Sequence, residues 1–141
     1  MTVKRAGKTD LNDAARLARL LWPGYDPDEM APLLDDPEAA VFLCFSAGEA
    51  VGFAQCQLRH DYVEGCDTSP VGYLEGVYVA EGYRRQGAAK ALVAACQAWA
   101  RERGCREFAS DCELDNTDSL HFHLGIGFEE ANRIICFTKK L

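Results

Sequence analysis

The sequence predicts an α+β fold of the α/β sandwich type, and the order of its helical and extended patterns indicates this class. Two β-rich runs, 40–45 and 50–58, are separated by a short glycine-containing link, which is typical of an antiparallel hairpin. Over residues 88–101 apolar side chains recur at helical spacing. This helix lies between two further extended runs, 73–79 and 107–112, so a β-α-β unit follows the hairpin.

The first third of the chain predicts one strand, one helix and an irregular connection. Residues 2–6 alternate loosely, as in a strand, and Thr9 or Asp10 can cap a helix that ends before Pro23. The segment 25–38 is rich in Asp and Pro, so we expect a largely irregular surface connection, in which 30–34 can form a short helix, as a plausible wall for a substrate. Elsewhere the patterns predict a loop at 59–70, a short helix at 116–124 and a last strand at 133–139. No linker or internal repeat is visible, so we expect one domain over the whole chain, 1–141.

Composition and charge argue against several kinds of partner. The formal net charge is −7 at pH 7, whereas nucleic-acid binding begins from a basic face. We therefore expect no nucleic-acid partner and consider a cationic ligand a better match, although moderate negative charge also simply keeps a protein soluble. No apolar run approaches the roughly 20 residues that a membrane span needs, and the first residues lack a secretory signal. We expect no membrane contact and a cytoplasmic location.

The cysteines and histidines predict neither a disulfide framework nor a metal site. The seven cysteines are odd in number, and Cys44, Cys56 and Cys96 lie in apolar runs, where a thiol behaves as a small hydrophobe. A zinc site needs ligands at short paired spacings, and the three histidines are not placed to complete one. We therefore expect reduced thiols and no metal.

The segment 81–92, EGYRRQGAAKAL, joins the extended run 73–79 to the helix that begins at Ala88. A turn before a helix directs unpaired backbone N–H groups and the positive end of the helix dipole at one point, which favours an anion. Gly87 lets the backbone approach a phosphate closely, and the two arginines of the segment add positive charge. The spacing fits neither the P-loop pattern nor the dinucleotide-binding pattern.

Residues 84–89, RRQGAA, match the pattern R/Q-x-x-G-x-G/A, and the segment resembles motif A of the Gcn5-related N-acetyltransferases (GNAT). Residues 116–128, which end in GF, resemble motif B of that family. The resemblance implies the GNAT fold, in which a mixed and mostly antiparallel central sheet has a splayed strand pair and flanking helices. It also implies acetyl-CoA as co-substrate. The alternative for residues 84–89 is a basic turn that caps an amphipathic helix.

The family pattern also indicates which residues would bind acetyl-CoA. Asn116 is the least specific of them, because asparagine is also a common helix N-cap. The resemblance implies binding through Val77, Val79, Arg84, Arg85, Gln86, Gly87, Ala88, Ala89 and Asn116.

Longer strings resemble the aminoglycoside 6'-N-acetyltransferases of bacterial antibiotic resistance. They include LWPG at 21–24, RHDYV at 59–63, LEG at 74–76 and ASD at 109–111. This resemblance implies transfer of the acetyl group from acetyl-CoA to the 6'-amino group of an aminoglycoside, a polycation that suits an acidic chain. It also implies a homodimer, in which residues 133–141 join the partner's sheet. Two alternatives share the scaffold: an acetyltransferase for a polyamine or protein amine, and an acyl-CoA-binding module without turnover.

Three residues are candidates for the chemistry that the resemblance implies. Glu75 lies inside an apolar run and Asp111 near the end of the next predicted strand, so either carboxylate can bind the ammonium or take its proton. For Glu75 the alternative is an ion-paired strand residue. His123 stands where the family usually has a tyrosine, and it can protonate the departing thiolate or merely pack beside the coenzyme. The backbone N–H of Val77 is the family's donor to the thioester oxygen.

Four further residues are candidates for binding the acceptor alongside these two carboxylates. Trp22 and Tyr62 offer flat surfaces to sugar rings, and Asp67 and Glu129 offer negative charge. The alternatives for these four are ordinary core packing and solvated charges.

Overall fold

A computed structural model describes residues 1–141 and contains one five-stranded sheet. Its strands are β1 (Thr2–Arg5), β2 (Ala39–Ser46), β3 (Glu49–Arg59), β4 (Val71–Val79) and β5 (Phe108–Ser110). They lie in chain order across the sheet, and neighbours pair antiparallel except β4 and β5, which are parallel. The sheet is therefore mixed and mostly antiparallel, and the predicted hairpin is confirmed as β2 and β3.

Four α-helices and three short 3₁₀ turns surround the sheet. The helices are α1 (Leu11–Leu21), α2 (Met30–Asp35), α3 (Ala88–Glu102) and α4 (Thr117–Gly125). The 3₁₀ turns are Lys8–Asp10, Pro27–Glu29 and Glu81–Tyr83. None of the helices combines the length and apolar character that a membrane span requires.

Helices cover both faces of the sheet, and the two largest clusters of the core lie one on each face. On one face Leu92, Cys96 and Trp99 of α3 are buried in a cluster with side chains of β2, β3 and β4. On the other face Leu17 of α1 and Met30 of α2 are buried in a second cluster, together with other sheet residues. Burial of these two helical stripes is the main stabilising contribution expected of such a sandwich. The predicted α/β sandwich is confirmed.

The start of α1 differs in detail from the predicted cap. Asp10 precedes the helix, but its carboxylate accepts a hydrogen bond from the N–H of Gly7 (2.9 Å) and closes the preceding 3₁₀ turn. Lys4 forms an ion pair with the same carboxylate at 3.1 Å. The Gly7 hydrogen bond is the largest effect on the pKa of Asp10; with Lys4 it lowers that pKa, although burial opposes the change.

The predicted last strand at 133–139 is wrong for the single chain. Residues 129–141 form neither helix nor strand, and they take part in no backbone hydrogen bond. The chain instead passes Gly65, where a glycine is required because an added Cβ would overlap the side chain of Ala131. Beyond Ala131 the segment is exposed to solvent, and Phe137, for example, is 89% exposed. A strand needs a neighbouring strand for its backbone hydrogen bonds, and this segment does not pair with any strand of its own sheet.

Candidate active site

The sheet opens into a fork between β4 and β5. The two parallel strands pair over only three positions, the last of which joins Leu74 to Ser110. Beyond Leu74, β4 continues to Val79 with no strand beside it on this side. The backbone groups that β4 directs to this edge beyond Leu74, including the N–H of Val77, are therefore available to an elongated ligand, since backbone N–H and C=O groups seek partners. The carbonyl of Val79 is the exception, because it accepts a hydrogen bond from Arg84. We call this opening the fork.

A β-bulge lies at the base of the fork. Gln55 of β3 pairs with Gly76, whereas the next residue, Cys56, pairs with Leu74. Glu75 is thus the extra residue of β4 and has no partner opposite. A bulge bends its strand and redirects a side chain, so the irregularity places the Glu75 carboxylate at the fork.

The first turn of α3 provides an anion site beyond the end of β4. Gly87 precedes the helix with φ of 83°, a left-handed conformation that favours glycine, and no side chain caps the helix. A Cβ added at Gly87 would meet no atom within 4 Å, so the space in front of the helix is open. The free N–H groups of Ala88 and Ala89 and the helix dipole point into this space and favour an anion there.

The two arginines of this turn have different roles. The Nε of Arg84 donates to the carbonyl of Val79 (2.7 Å), and its guanidinium lies near the ring of Tyr78. Arg84 therefore ties the turn to the end of β4. The neighbouring Arg85 and Gln86 are exposed and make no side-chain hydrogen bond, so positive charge for an anion comes mainly from Arg85.

Four side chains at the base of the fork form a connected group, which we call the Arg59 cluster: Arg59, Tyr73, Glu75 and Asp111. Nη2 of Arg59 donates to both oxygens of Glu75, at 2.9 Å to Oε2, and the guanidinium carbon lies 3.4 Å from the centroid of the Tyr73 ring. The hydroxyl of Tyr73 donates to the Asp111 carboxylate. Burial, and then the hydrogen bond to Asp111, raise the pKa of Tyr73, so it remains a neutral donor.

The Arg59 cluster brings together the two carboxylates that the sequence singled out. Glu75 is mostly buried, with 14% of its side chain exposed, and it forms an ion pair with Arg59. This agrees with the alternative interpretation of Glu75 as an ion-paired strand residue. Asp111 follows β5, is exposed and has no cationic partner. Of the two, Asp111 therefore has the charge that is free to meet a cation from solution.

Trp22 forms one wall beside the bulge. Its ring lies against Gly76, because a Cβ added at Gly76 would come within 2.7 Å of Cη2. Phe53 and Tyr25 hold the ring from other sides, with centroids 5.9 Å and 5.8 Å away. The remaining acceptor candidates are not brought into this group: Tyr62 is 77% exposed, and Asp67 and Glu129 are exposed without contact to the Arg59 cluster.

His123 of α4 lies next to the last pairing position of the fork. Its Nε2 is 2.7 Å from Oγ of Ser110, and its Nδ1 is 2.7 Å from the carbonyl oxygen of Ser119. The ring also packs on Phe128, with centroids 5.1 Å apart. Asn116 caps α4, since its side chain accepts from the N–H of Ser119 at 3.1 Å. The N-cap alternative for Asn116 is thus confirmed, and its amide nitrogen remains free.

The sequence assigned no individual role to three residues that this geometry makes prominent: Arg59, Tyr73 and Ser110. The alternation of β4 held a signal for one of them, because Tyr73 is two residues before Glu75 and strand side chains two apart share a face. Arg59 ends β3 and lies opposite the start of β4, which a hairpin register would have indicated. Ser110 carried no comparable signal.

Comparison with known proteins identifies the class. The sequence profile of the acetyltransferase (GNAT) family matches residues 10–128, and the forked sheet with an anion site at the following helix agrees with it. The chain belongs to the acetyltransferase (GNAT) family.

More specific relatives share almost the whole chain. The aminoglycoside N(6')-acetyltransferase type 1 of Salmonella enteritidis is 42% identical over 144 residues, which cover 99% of each chain. The protein of that name from Stenotrophomonas maltophilia is 45% identical over 143 residues, covering 99% of this chain and 94% of its own. A solved structure of AAC(6')-Iy in complex with the bisubstrate analog CoA-S-monomethyl-acetylneamine is 41% identical, covers 99% of this chain and 98% of its own, and superposes with a TM-score of 0.95.

Proposed function

We propose that this protein transfers the acetyl group of acetyl-CoA to the 6'-amino group of aminoglycosides, and that it thereby confers resistance to them. One observation carries the proposal: the fork has an anion site at the start of α3 beyond one end of β4 and the acidic Arg59 cluster at its base. These sites suit a coenzyme pyrophosphate and a polycationic acceptor respectively. The names of the relatives that share almost the whole chain support the same reaction. Because acetyl-CoA is consumed, we place the reaction in the cytoplasm.

Acetyl-CoA fits the residues along β4 and the turn after it. Free N–H groups at Gly87, Ala88 and Ala89 would bind the pyrophosphate, with Arg85 and Gln86 at its exposed side. The unpaired edge of β4 would bind the pantetheine arm. Its N–H at Val77 would stabilise the thioester oxygen as negative charge develops there.

The acceptor amine fits the base of the fork. Asp111 would bind the incoming ammonium and pass its proton to solvent, since its charge is not already neutralised. Arg59 holds both oxygens of Glu75, so an ammonium gains less there, and Glu75 would mainly orient the amine. Attack by the neutral amine on the thioester carbonyl then needs no covalent intermediate on the protein.

The sugar rings of the acceptor need a flat wall and outlying charge. Trp22, held against Gly76, would supply the wall. Tyr62, Asp67 and Glu129 lie outside the Arg59 cluster, and we retain them as contacts for the outer amines of a large acceptor. The net charge of −7 favours encounter with a polycation.

The direct test follows release of the coenzyme thiol when the protein is incubated with acetyl-CoA and kanamycin or tobramycin. We expect rapid, saturable release with either antibiotic. Parallel incubations with spermidine and with a lysine-containing peptide test the alternative acceptors. Release only with these amines would favour a polyamine or protein acetyltransferase, and coenzyme binding without release from any amine would favour a binding module.

We also propose that two chains form a homodimer through the C-terminal segment 133–141. This segment carries exposed apolar side chains, with Ile135 80% and Phe137 89% exposed. The outer edge of β5 has no strand beside it, and an open edge is a template for another chain. Light scattering after size exclusion tests this: we expect a dimer for the full chain and a monomer for a chain that ends at Asn132. A dimer in both cases would contradict the proposed contact.

A further inference from the structure

The hydrogen bonds of His123 define which of its nitrogens carries the proton. The carbonyl oxygen of Ser119, 2.7 Å from Nδ1, can only accept. Oγ of Ser119 also lies near Nδ1, but at 3.3 Å it is the longer contact. The shorter contact to the carbonyl assigns the proton to Nδ1, and in the neutral ring Nε2 then has a lone pair. The hydroxyl of Ser110, with Oγ 2.7 Å from Nε2, then donates a hydrogen bond to the histidine.

Protonation of His123 would reverse this bond. The charged ring carries a proton on Nε2 and donates to Oγ of Ser110, which then has its own proton free. A second acceptor for that proton is already present, since Oγ of Ser110 lies 3.4 Å from the carbonyl oxygen of Leu74. The Ser110 hydroxyl can thus turn between the histidine and the opening of the fork.

Ser110 occupies the position in the fork that a proton donor needs. It forms the last pairing position with Leu74, and its hydroxyl spans the two strands at the point where they separate. The acceptor-side carboxylates are adjacent in sequence: Glu75 follows Leu74 on β4, and Asp111 follows Ser110 directly after β5 ends. The nearby hydroxyl of Tyr73 is already committed to Asp111.

His123 itself has no free nitrogen to present. Both ring nitrogens are occupied within the chain, and the ring also contacts Phe128. While the hydrogen bond between Nε2 and Oγ of Ser110 is intact, a proton on Nε2 therefore leaves the histidine only through Ser110. This geometry separates the source of the proton from the group that delivers it.

We propose that Ser110 is the immediate proton donor to the coenzyme thiolate and that His123 acts through it as a positioning residue and proton source. The inference rests on the proposed acetyl transfer. As the C–S bond breaks, its electron pair goes to sulfur, and the Ser110 hydroxyl gives its proton to form the S–H bond. Nε2 of the charged His123 returns a proton to the serine oxygen. His123 is left neutral with its proton on Nδ1 and regains one from solvent.

The resting protein offers a test that does not depend on turnover. We expect ¹⁵N spectra of the neutral histidines, assigned with His123→Phe, to show His123 protonated at Nδ1 and unprotonated at Nε2. Ser119→Ala is the matched control, because it removes a nearby hydroxyl and keeps the carbonyl that fixes the tautomer. A proton on Nε2 of neutral His123 in the wild type would overturn the relay.

Kinetics test the transfer itself. We expect Ser110→Ala to lower the single-turnover rate with kanamycin by about 10²-fold, the usual contribution of a positioned acid, with little change in acetyl-CoA affinity. Ser110→Thr, which keeps the hydroxyl, should restore most of the rate. The double variant with His123→Phe should be no slower than the slower single variant, because both changes interrupt one path. Circular dichroism and coenzyme binding exclude misfolding.

The dependence of the rate on the fraction of D₂O distinguishes a relay from a merely structural serine. Two protons in motion predict a curved plot for the wild type and loss of that curvature in Ser110→Ala. A Ser110→Ala rate equal to the wild-type rate, or multiplicative losses in the double variant, would overturn the relay while leaving acetyl transfer intact. A wild type that acetylates no aminoglycoside would instead refute the proposed function.

Discussion

Replacing Gly76 by alanine tests how closely the Trp22 wall is fitted to the bulged strand. The added Cβ would lie 2.7 Å from Cη2 of Trp22 and 2.8 Å from Cδ2 of Leu21. Carbon atoms pack best at about 3.5–4.0 Å, so the indole must move by roughly 1 Å. Phe53 and Tyr25 hold the ring and limit that movement. We expect a loss of about 1–3 kcal/mol in the free energy of unfolding, the usual cost of overpacking.

The same change should affect one substrate and spare the other. Thermal melts and steady-state kinetics should show a Tm lowered by several degrees and a raised KM for kanamycin, with unchanged acetyl-CoA affinity. Gly7→Ala is the matched control, since its Cβ meets no atom within 4 Å, and its φ of −117° suits alanine. That control should be neutral or slightly stabilising. A Gly76→Ala protein with wild-type Tm and kanamycin KM would refute the described seating of Trp22.

Three further changes have defined outcomes. Gly87→Leu should weaken acetyl-CoA binding about tenfold in calorimetry, because leucine at a φ of 83° costs roughly 1–2 kcal/mol of backbone strain. Gly87→Asn should weaken binding less, since asparagine tolerates this conformation better. Equal acetyl-CoA affinities for the wild type and Gly87→Leu would contradict the placement of the pyrophosphate site. Glu75→Gln should lower kcat more than it weakens acetyl-CoA binding, and wild-type kcat would contradict a role for this carboxylate. Asp10→Asn should lower the free energy of unfolding at pH 7, and the difference from the wild type should disappear in acid. The pKa of Asp10 is lower in the folded state, so its carboxylate stabilises the fold above the ordinary pKa of 3.8, and this stability is lost as the pH falls through the folded-state pKa. A constant difference from pH 7 to pH 2 would contradict that contribution.

The parts of the fold that the sequence predicted well depend on local periodicity. The hairpin of β2 and β3 follows from two β-rich runs with a short link, and α3 follows from apolar residues at helical spacing. The anion site at Gly87 was also predictable, because it needs only a strand, a turn with glycine and a helix start. In each case the information lies within one short, continuous stretch of the chain.

The parts that were missed depend on contacts between distant segments. The C-terminal segment has a strand-like pattern, but whether it forms a strand depends on a neighbour that its own chain does not supply. Arg84 was predicted to supply positive charge for the pyrophosphate. Only the fold shows that its Nε donates a hydrogen bond to the carbonyl of Val79. The bulge at Glu75 and the ion pair with Arg59 likewise require the register of β3 against β4.

Regiochemistry tests the central claim most directly. Neomycin and paromomycin differ only at the 6' position, where neomycin has an amine and paromomycin a hydroxyl. We expect acetyl-CoA and neomycin to give one product, whose two-dimensional NMR spectrum places a single acetyl group on the 6' nitrogen, and paromomycin to give no thiol release above background. Equal turnover of both antibiotics, or an acetyl group on another amine of neomycin, would contradict the proposed 6'-N-acetyl transfer.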